Sequence, residues 1–278
     1  MTEPPAPDSP AGVSDGFGAN AVAASSVVAG VVRRLRAAGC VFAEEEAALL
    51  IEAAGSDAEL HELVERRAAG LPLEHILGWA EFAGLRIAVD PGVFVPRRRT
   101  ELLVAEALPL LRPGSVVLDL CCGSGAVGTA LAAGASGVRV YAADIDPAAV
   151  RSARRNLPDA ADVFEGDLYD ALPAELRGRF DVIVVNAPYV PSDAIATMPP
   201  EARLHEARVA LDGGGDGLDV QRRVIAEARD WLSPTGRLLI ETSEHQAPAT
   251  AALFTAAGLH PHIRHDDDLD ATVVMGGR

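Results

Sequence analysis

The chain has 278 residues, 49% of them hydrophobic, enough for a packed core in one large domain or two smaller ones and too many for a largely disordered protein. All 24 basic residues are arginine, and 40 acidic residues leave a net charge of −16, shared evenly: 14 acids and 6 arginines up to Pro96, 26 and 18 beyond it, −8 in each part. Neither part offers the basic face that duplex nucleic acid requires, whereas a cationic small molecule or a basic protein meets no opposition.

Residues 1–18, rich in Pro, Asp, Ser and Gly, read as a disordered tail. The apolar stretch at 19–32 is short, lacks a basic start and contains Ser25, Ser26 and Gly30, so neither a signal peptide nor a membrane span is expected. Cys40, Cys121 and Cys122 form no disulfide framework, which suits a reducing cytoplasm. Helical spacing of Val27, Val28, Val31, Val32 and Leu35, then a Ser56–Glu59 capping box ahead of Leu60, Leu63 and Val64, predicts a small helical domain over 19–80. Residues 81–96 alternate at Leu85, Ile87 and Val89, turn at Asp90-Pro91-Gly92 and resume at Val93, which predicts a β-hairpin linker. From 97 to 278 the chain alternates apolar runs (116–120, 138–143, 182–185, 238–240) with helical segments, and Asp146-Pro147 caps one helix. That alternation predicts a parallel sheet covered by helices on both faces.

The first run leads through Asp119 and Leu120 into Cys121-Cys122-Gly123-Ser124-Gly125 and a helix near Ala126. A strand, a glycine turn and a helix N-terminus allow close approach of backbone to a ligand. The next strand ends in Asp144, a carboxylate suited to ribose hydroxyls, and Asp167-Leu168 follows the third, where a side chain and an N–H suit an adenine edge. Gly123, Gly125 and Gly128 also fit a dinucleotide loop, so this segment alone does not choose the cofactor.

The strand Phe180–Val185 runs into Asn186-Ala187-Pro188-Tyr189, beyond the carboxyl end of the sheet, where ligands of such sheets bind. A planar amide or aromatic amine has a delocalised lone pair and is a poor nucleophile. The Asn186 side-chain carbonyl and the Ala187 backbone carbonyl are placed to accept its two hydrogens, orienting the nitrogen and favouring positive charge in the transition state. Pro188 stiffens the segment and Tyr189 offers a packing face. A sulfonium methyl donor needs no protein nucleophile and no metal.

Asp119–Gly125, Asp144, Asp167 and the Asn-x-Pro-Tyr segment together resemble the HemK/PrmC-like protein-(glutamine-N5) methyltransferases. The likeness extends to Pro72-Leu73-Glu74-His75-Ile76-Leu77-Gly78, to Glu206, to Leu211-Asp212-Gly213-Gly214 and Asp216-Gly217-Leu218, and to Ile240-Glu241 and Gln246. It implies an α/β fold: a seven-stranded Rossmann-like class I methyltransferase domain preceded by a small helical domain and a β-hairpin linker. It also implies S-adenosyl-L-methionine as cofactor, bound by Asp119, Cys121, Cys122, Gly123, Ser124, Gly125, Asp144, Asp167, Leu168 and Asn186. Asn186, Ala187, Pro188 and Tyr189 are then the catalytic segment, and the acceptor is the glutamine of a peptide-chain release factor or a ribosomal protein. The chain departs from the family's pattern at Ala187, at Cys121 and within Arg97-Arg98-Arg99-Thr100-Glu101, where the family has Arg-Pro-Glu-Thr-Glu and only Arg97, Thr100 and Glu101 match, and so reads as a divergent relative.

His260, His262 and His265 beside Asp266, Asp267 and Asp268 read as a solvated acidic turn rather than a metal site. Two other functions compete: an adenine-N6 methyltransferase, which the acidity and 4% aromatic content disfavour, and a non-catalytic cofactor-binding protein. A monomer is expected, with no membrane partner.

Overall fold

A computed structural model describes residues 16–278, with side chains from Ser25 onward. Contacts divide the chain into two compact units at the Gly70/Leu71 junction.

In the first unit, α1 (Gly16–Ala37), α2 (Ala43–Ala53) and α3 (Asp57–Ala68) pack pairwise around Leu35, Ala43, Ala47, Leu50 and Val64. The Ser56 hydroxyl accepts the Glu59 N–H at 3.2 Å, and the Glu59 carboxylate takes the Gly55 N–H at 2.8 Å, one residue earlier than in a strict capping box. Arg67 pairs with Glu46 inside this unit at 2.6 Å. Because α1 already begins at Gly16, the last three residues of the expected tail are helical; the remainder lies outside the described residues.

The second unit opens with α4 (Leu73–Leu77) and the hairpin β1 (Trp79–Phe82) and β2 (Leu85–Ala88). The hairpin turns at Ala83-Gly84, not at Asp90-Pro91-Gly92, and residues 93–95 form no strand. Both turn residues have positive φ, 50° and 73°, the two-residue turn whose twist matches the flanking strands. Alanine at its first position hides the usual Asn-Gly signal. The side chain of Asn156 binds the N–H and the C=O of Ala88, both at 2.8 Å, and so completes the end of β2.

After α5 (Glu101–Ala107) the chain builds β3 (Val116–Leu120), α6 (Ala126–Gly134), β4 (Arg139–Asp144), α7 (Pro147–Asn156), β5 (Asp162–Glu165) and β6 (Phe180–Val185). It continues with α8 (Pro200–His205), α9 (Asp219–Trp231), β7 (Leu232–Thr242), α10 (Ala247–Ala256), β8 (His260–Asp266) and β9 (Ala271–Gly277). The seven large strands form one sheet in the order β5-β4-β3-β6-β7-β9-β8. Five run parallel, and β9 enters antiparallel between β7 and β8. The sheet is therefore mixed, where strand and helix alternation predicted a parallel one. The β8–β9 pair is joined by a short turn at 267–270, which only antiparallel strands permit.

One face buries Leu118, Tyr141, Phe180, Ile183 and Trp231 with α9 and α10, the other buries Val117, Val140, Val182 and Leu239 with α5, α6 and α7. Strand order reverses between β3 and β6, which opens a crevice at their carboxyl ends. No described helix is long and apolar enough to cross a membrane.

Candidate methyl-transfer site

At the end of β3 the chain reverses through Cys121, Gly123 and Gly125, with φ of 59°, 55° and 76°. Cys121 thus carries a side chain where the left-handed region favours glycine, at a typical cost of about 1–2 kcal/mol. Gly128, one turn into α6, allows that helix to lie on the sheet. A Cβ there would stand 3.0 Å from Leu157 Cδ2, 3.1 Å from Asp119 Oδ2 and 3.2 Å from Val140 Cγ1. The Asp119 carboxylate, 2% exposed, accepts the Gly128 N–H at 2.8 Å and fastens the helix start to the strand that delivers it.

Asp144, at the tip of β4, accepts the Gly123 N–H on Oδ2 at 2.8 Å and the Asp146 N–H on Oδ1 at 2.9 Å. It therefore holds the turn in place while keeping a lone pair on each oxygen for a ligand. Asp146 caps α7 by accepting the Ala148 N–H at 2.8 Å. Asn156 donates to the Ser124 carbonyl at 2.8 Å from the opposite side. Asp167 pairs with Arg223 at 2.8 Å, and Leu168 beside it has φ of 50°.

A cavity of about 560 Å³ opens over this turn. Asp119, Cys121, Cys122, Gly123, Ser124, Asp144, Asp167 and Leu168 all line it; Gly125 does not, and packs instead against α7, where a Cβ would meet the Ala153 Cα at 3.1 Å. Burial raises the Asp119 pKa to about 8 against the pull of the Gly128 N–H, and the neighbouring Asp144 adds to the rise. Burial raises Asp144 too, opposed by the N–H groups of Asp146 and Gly123. Burial and these carboxylates push both thiols, Cys121 and Cys122, well up, so neither is a reactive thiolate. The donor set fits a cationic nucleoside: carboxylates for hydroxyls and positive charge, backbone at close range, apolar walls for a base.

The same cavity is lined by Asn186, Ala187, Pro188 and Tyr189, delivered by β6. The Asn186 amide Nδ2 donates to Thr100 Oγ1 at 3.1 Å, which turns its Oδ1 away from Thr100. Among the described residues no group donates to that oxygen or to the Ala187 carbonyl, although Ala187 is only 1% exposed. Two consecutive residues that line the cavity, Asn186 and Ala187, thus each carry an acceptor without a donor. Tyr189 donates its hydroxyl to Glu241 Oε1 at 3.2 Å, and burial, then Glu241, raise its pKa.

Residues 211–218 clasp this segment. The Val190 N–H donates to the Leu211 carbonyl at 3.1 Å, the Gly213 N–H to the Val190 carbonyl at 2.9 Å, and Gln246 Nε2 to the carbonyls of Tyr189 and Asp216, both at 3.0 Å. Among the lining residues Arg97 pairs with Glu206, which also accepts the Val95 N–H at 3.3 Å. Arg99 lines the wall with no ion pair among the described residues. Thr100, the clasp and Phe82 of the hairpin had no assignment as site residues from sequence. Thr100 stands 86 positions from Asn186, and no local pattern links them. The late histidines sit on the edge strand β8, where His265 binds Thr272 and Asp267 at 2.9 and 3.1 Å, and no metal-ligand cluster occurs among the described residues.

A family model described as "Methyltransferase small domain" matches residues 84–221. The chain is 38% identical to the release factor glutamine methyltransferase of Geobacter sulfurreducens, over 78% of this chain and 76% of that one. At the same 38% it resembles the 4-amino-L-phenylalanine/4-methylamino-L-phenylalanine methyltransferase of Streptomyces pristinaespiralis, over 72% and 70%. The crystal structure of a methyltransferase from Pyrococcus furiosus shares the fold, with a TM-score of 0.53, 18% identity and coverage of 76% and 95%.

Proposed function

The chain belongs to the release factor glutamine methyltransferase family, and from that premise we propose that Asn186 and Ala187 hold the side-chain amide of a glutamine in a protein for methylation at nitrogen. The enzyme is an S-adenosylmethionine-dependent methyltransferase. When bound, the cofactor supplies an electrophilic methyl group on a sulfonium.

The chain's own residues do the rest. Asp144 offers a lone pair from each carboxylate oxygen to the ribose hydroxyls, Asp167 and the Leu168 N–H take the adenine edge, and Asp119 adds negative charge beneath the turn. The two donor-free carbonyls, Asn186 Oδ1 and Ala187 O, carry the reading of the acceptor. A primary amide presents two N–H groups in one plane, and two acceptors side by side hold both. That fixes the nitrogen's direction of attack and stabilises the positive charge that grows on it. Pro188 and the clasp at 211–218 keep the acceptors in place, and Tyr189 closes one side of the slot. The acceptor is a release factor, met in the cytoplasm; the net charge of −16 supports a protein rather than nucleic acid as the macromolecular partner.

A second acceptor, the amine of a free aromatic amino acid, is favoured by one observation: Arg99 lines the cavity without an ion pair and could take a carboxylate. Labelled S-adenosylmethionine offered with a full-length bacterial release factor in one tube and 4-amino-L-phenylalanine in another separates the two. Label in the release factor alone supports the first reading; label in the amino acid alone replaces it with the second.

A further inference from the structure

Glu241 is 2% exposed on β7, has no ion pair among the described residues, and its Oε2 has no partner of full hydrogen-bonding geometry. A carboxylate in that position is costly, and an apolar side chain or a glutamine would fill the space at lower cost. Its place in the sheet suggests what it does. Val185 on β6 pairs with Ile240 on β7, so one step further along each strand brings Asn186 beside Glu241. Around the carboxylate stand Thr100 and Arg99 from the turn before α5 and Tyr189 from the loop after β6, while its β9 partner, Val273, is apolar.

Hydrogen bonds in this cluster have a direction. A hydroxyl has one hydrogen to give. Thr100 Oγ1 already accepts from Asn186 Nδ2, so its own hydrogen must go elsewhere; the buried Glu241 carboxylate is the nearby acceptor, close enough for the hydroxyl to lower its pKa, although no hydrogen bond of full geometry joins the two. Tyr189 likewise gives its hydrogen to Glu241 Oε1. An ionised carboxylate only accepts, so both hydroxyls must point toward it. With Thr100 committed, Asn186 can donate to Thr100 only through its NH2 and keeps its carbonyl toward the cavity.

We propose that Glu241 is a positioning residue whose acceptor-only carboxylate sets the direction of the Asn186–Thr100–Glu241 chain, and so keeps the Asn186 carbonyl rather than its NH2 turned to the substrate amide. The inference rests on the amide clamp described above. If Glu241 becomes a donor, the Thr100 hydrogen is released to Asn186 Oδ1, the amide turns over, and a donor meets the donors of the substrate. Protonation has the same effect. Burial raises the Glu241 pKa, while the Thr100 and Tyr189 hydroxyls and the Arg99 charge oppose the rise. The pH at which the direction fails therefore lies above the ordinary glutamate value.

The test compares wild type, Glu241→Gln, Thr100→Val and Asn186→Ala with a full-length bacterial release factor as acceptor, measuring kcat, KM and cofactor affinity from pH 5 to 8, with melting curves to verify folding. Wild-type kcat is expected to fall on the acid side with a midpoint above the usual glutamate range. Glu241→Gln should lose at least tenfold in kcat at pH 8, lose that acid limb, and bind the cofactor within about twofold of wild type. Thr100→Val should lose a similar factor, and the double variant should be no worse than either single one. Glu241→Gln with wild-type kcat and an intact acid limb, while Asn186→Ala is inactive, overturns the positioning role alone. An active Asn186→Ala overturns the clamp and the role together.

Discussion

Asp119 places a carboxyl group, 2% exposed, between the cofactor turn and the start of a helix, with a pKa raised to about 8. In the free protein it therefore holds its proton at neutral pH. A sulfonium and an ammonium entering the same cavity favour the charged form, so cofactor binding releases that proton. Affinity should therefore rise with pH up to about 8 and level off above it, with a slope of at most about tenfold per pH unit. Asp119→Asn should bind more weakly at pH 8 and show a flat profile, which titration calorimetry across pH 6–9 reads directly. Asp119 and Asp144 were both legible in sequence as strand-end carboxylates, which recur at fixed places in such sheets, and both line the cavity. What each does was less legible. Asp144 shares its oxygens between the Gly123 and Asp146 N–H groups, and Asp119 is fastened to Gly128, bonds that exist only once α6 is laid on the sheet. Thr100 shows the limit: it was legible as a match to the family's Arg-Pro-Glu-Thr-Glu pattern, but nothing local says that its hydroxyl accepts from Asn186, 86 positions away.

Between β3 and α6, backbone and helix must approach closely, and Gly128 is where that need can be measured. Alanine would favour the helix by about 1 kcal/mol. Its Cβ, however, would press on Asp119 Oδ2 at 3.1 Å, a group that cannot retreat without breaking its bond to the Gly128 N–H. Val140 at 3.2 Å is buried in the sheet and is no freer. Overpacking of this kind costs about 1–3 kcal/mol, which outweighs the propensity gain. Gly128→Ala should therefore lower the urea midpoint and weaken cofactor binding; an unchanged or raised midpoint would show that α6 can shift outward. At this scale the sequence was legible wherever apolar runs are buried on both sides, as β3 and β6 are. It misled at the hairpin, where Ala83-Gly84 forms the turn with alanine in place of the asparagine, aspartate or glycine that usually comes first. It was silent on β9, whose antiparallel entry depends on the short 267–270 turn rather than on any periodicity.

Across the whole molecule, every residue lining the cavity lies between Phe82 and Arg223, inside the unit that begins at Leu71. A fragment of residues 71–278 should accordingly bind S-adenosylmethionine within about threefold of the full chain, measured by calorimetry. A loss of more than tenfold would mean that residues 1–70 help to build the cofactor site. The charge also acts at this scale. A net −16 attracts basic surfaces of a partner protein, so salt should raise KM for the release factor and leave cofactor affinity nearly unchanged. If Asn186 and Ala187 present two carbonyls to a glutamine amide, peptide mass spectrometry of a release factor incubated with enzyme and methyl-labelled cofactor will show where the methyl goes. One added methyl on a glutamine side-chain nitrogen is expected with wild type, and none with Asn186→Ala, although that variant should bind the cofactor within about tenfold, ~1.4 kcal/mol. A methyl on any other atom, or undiminished glutamine methylation by Asn186→Ala, would contradict it.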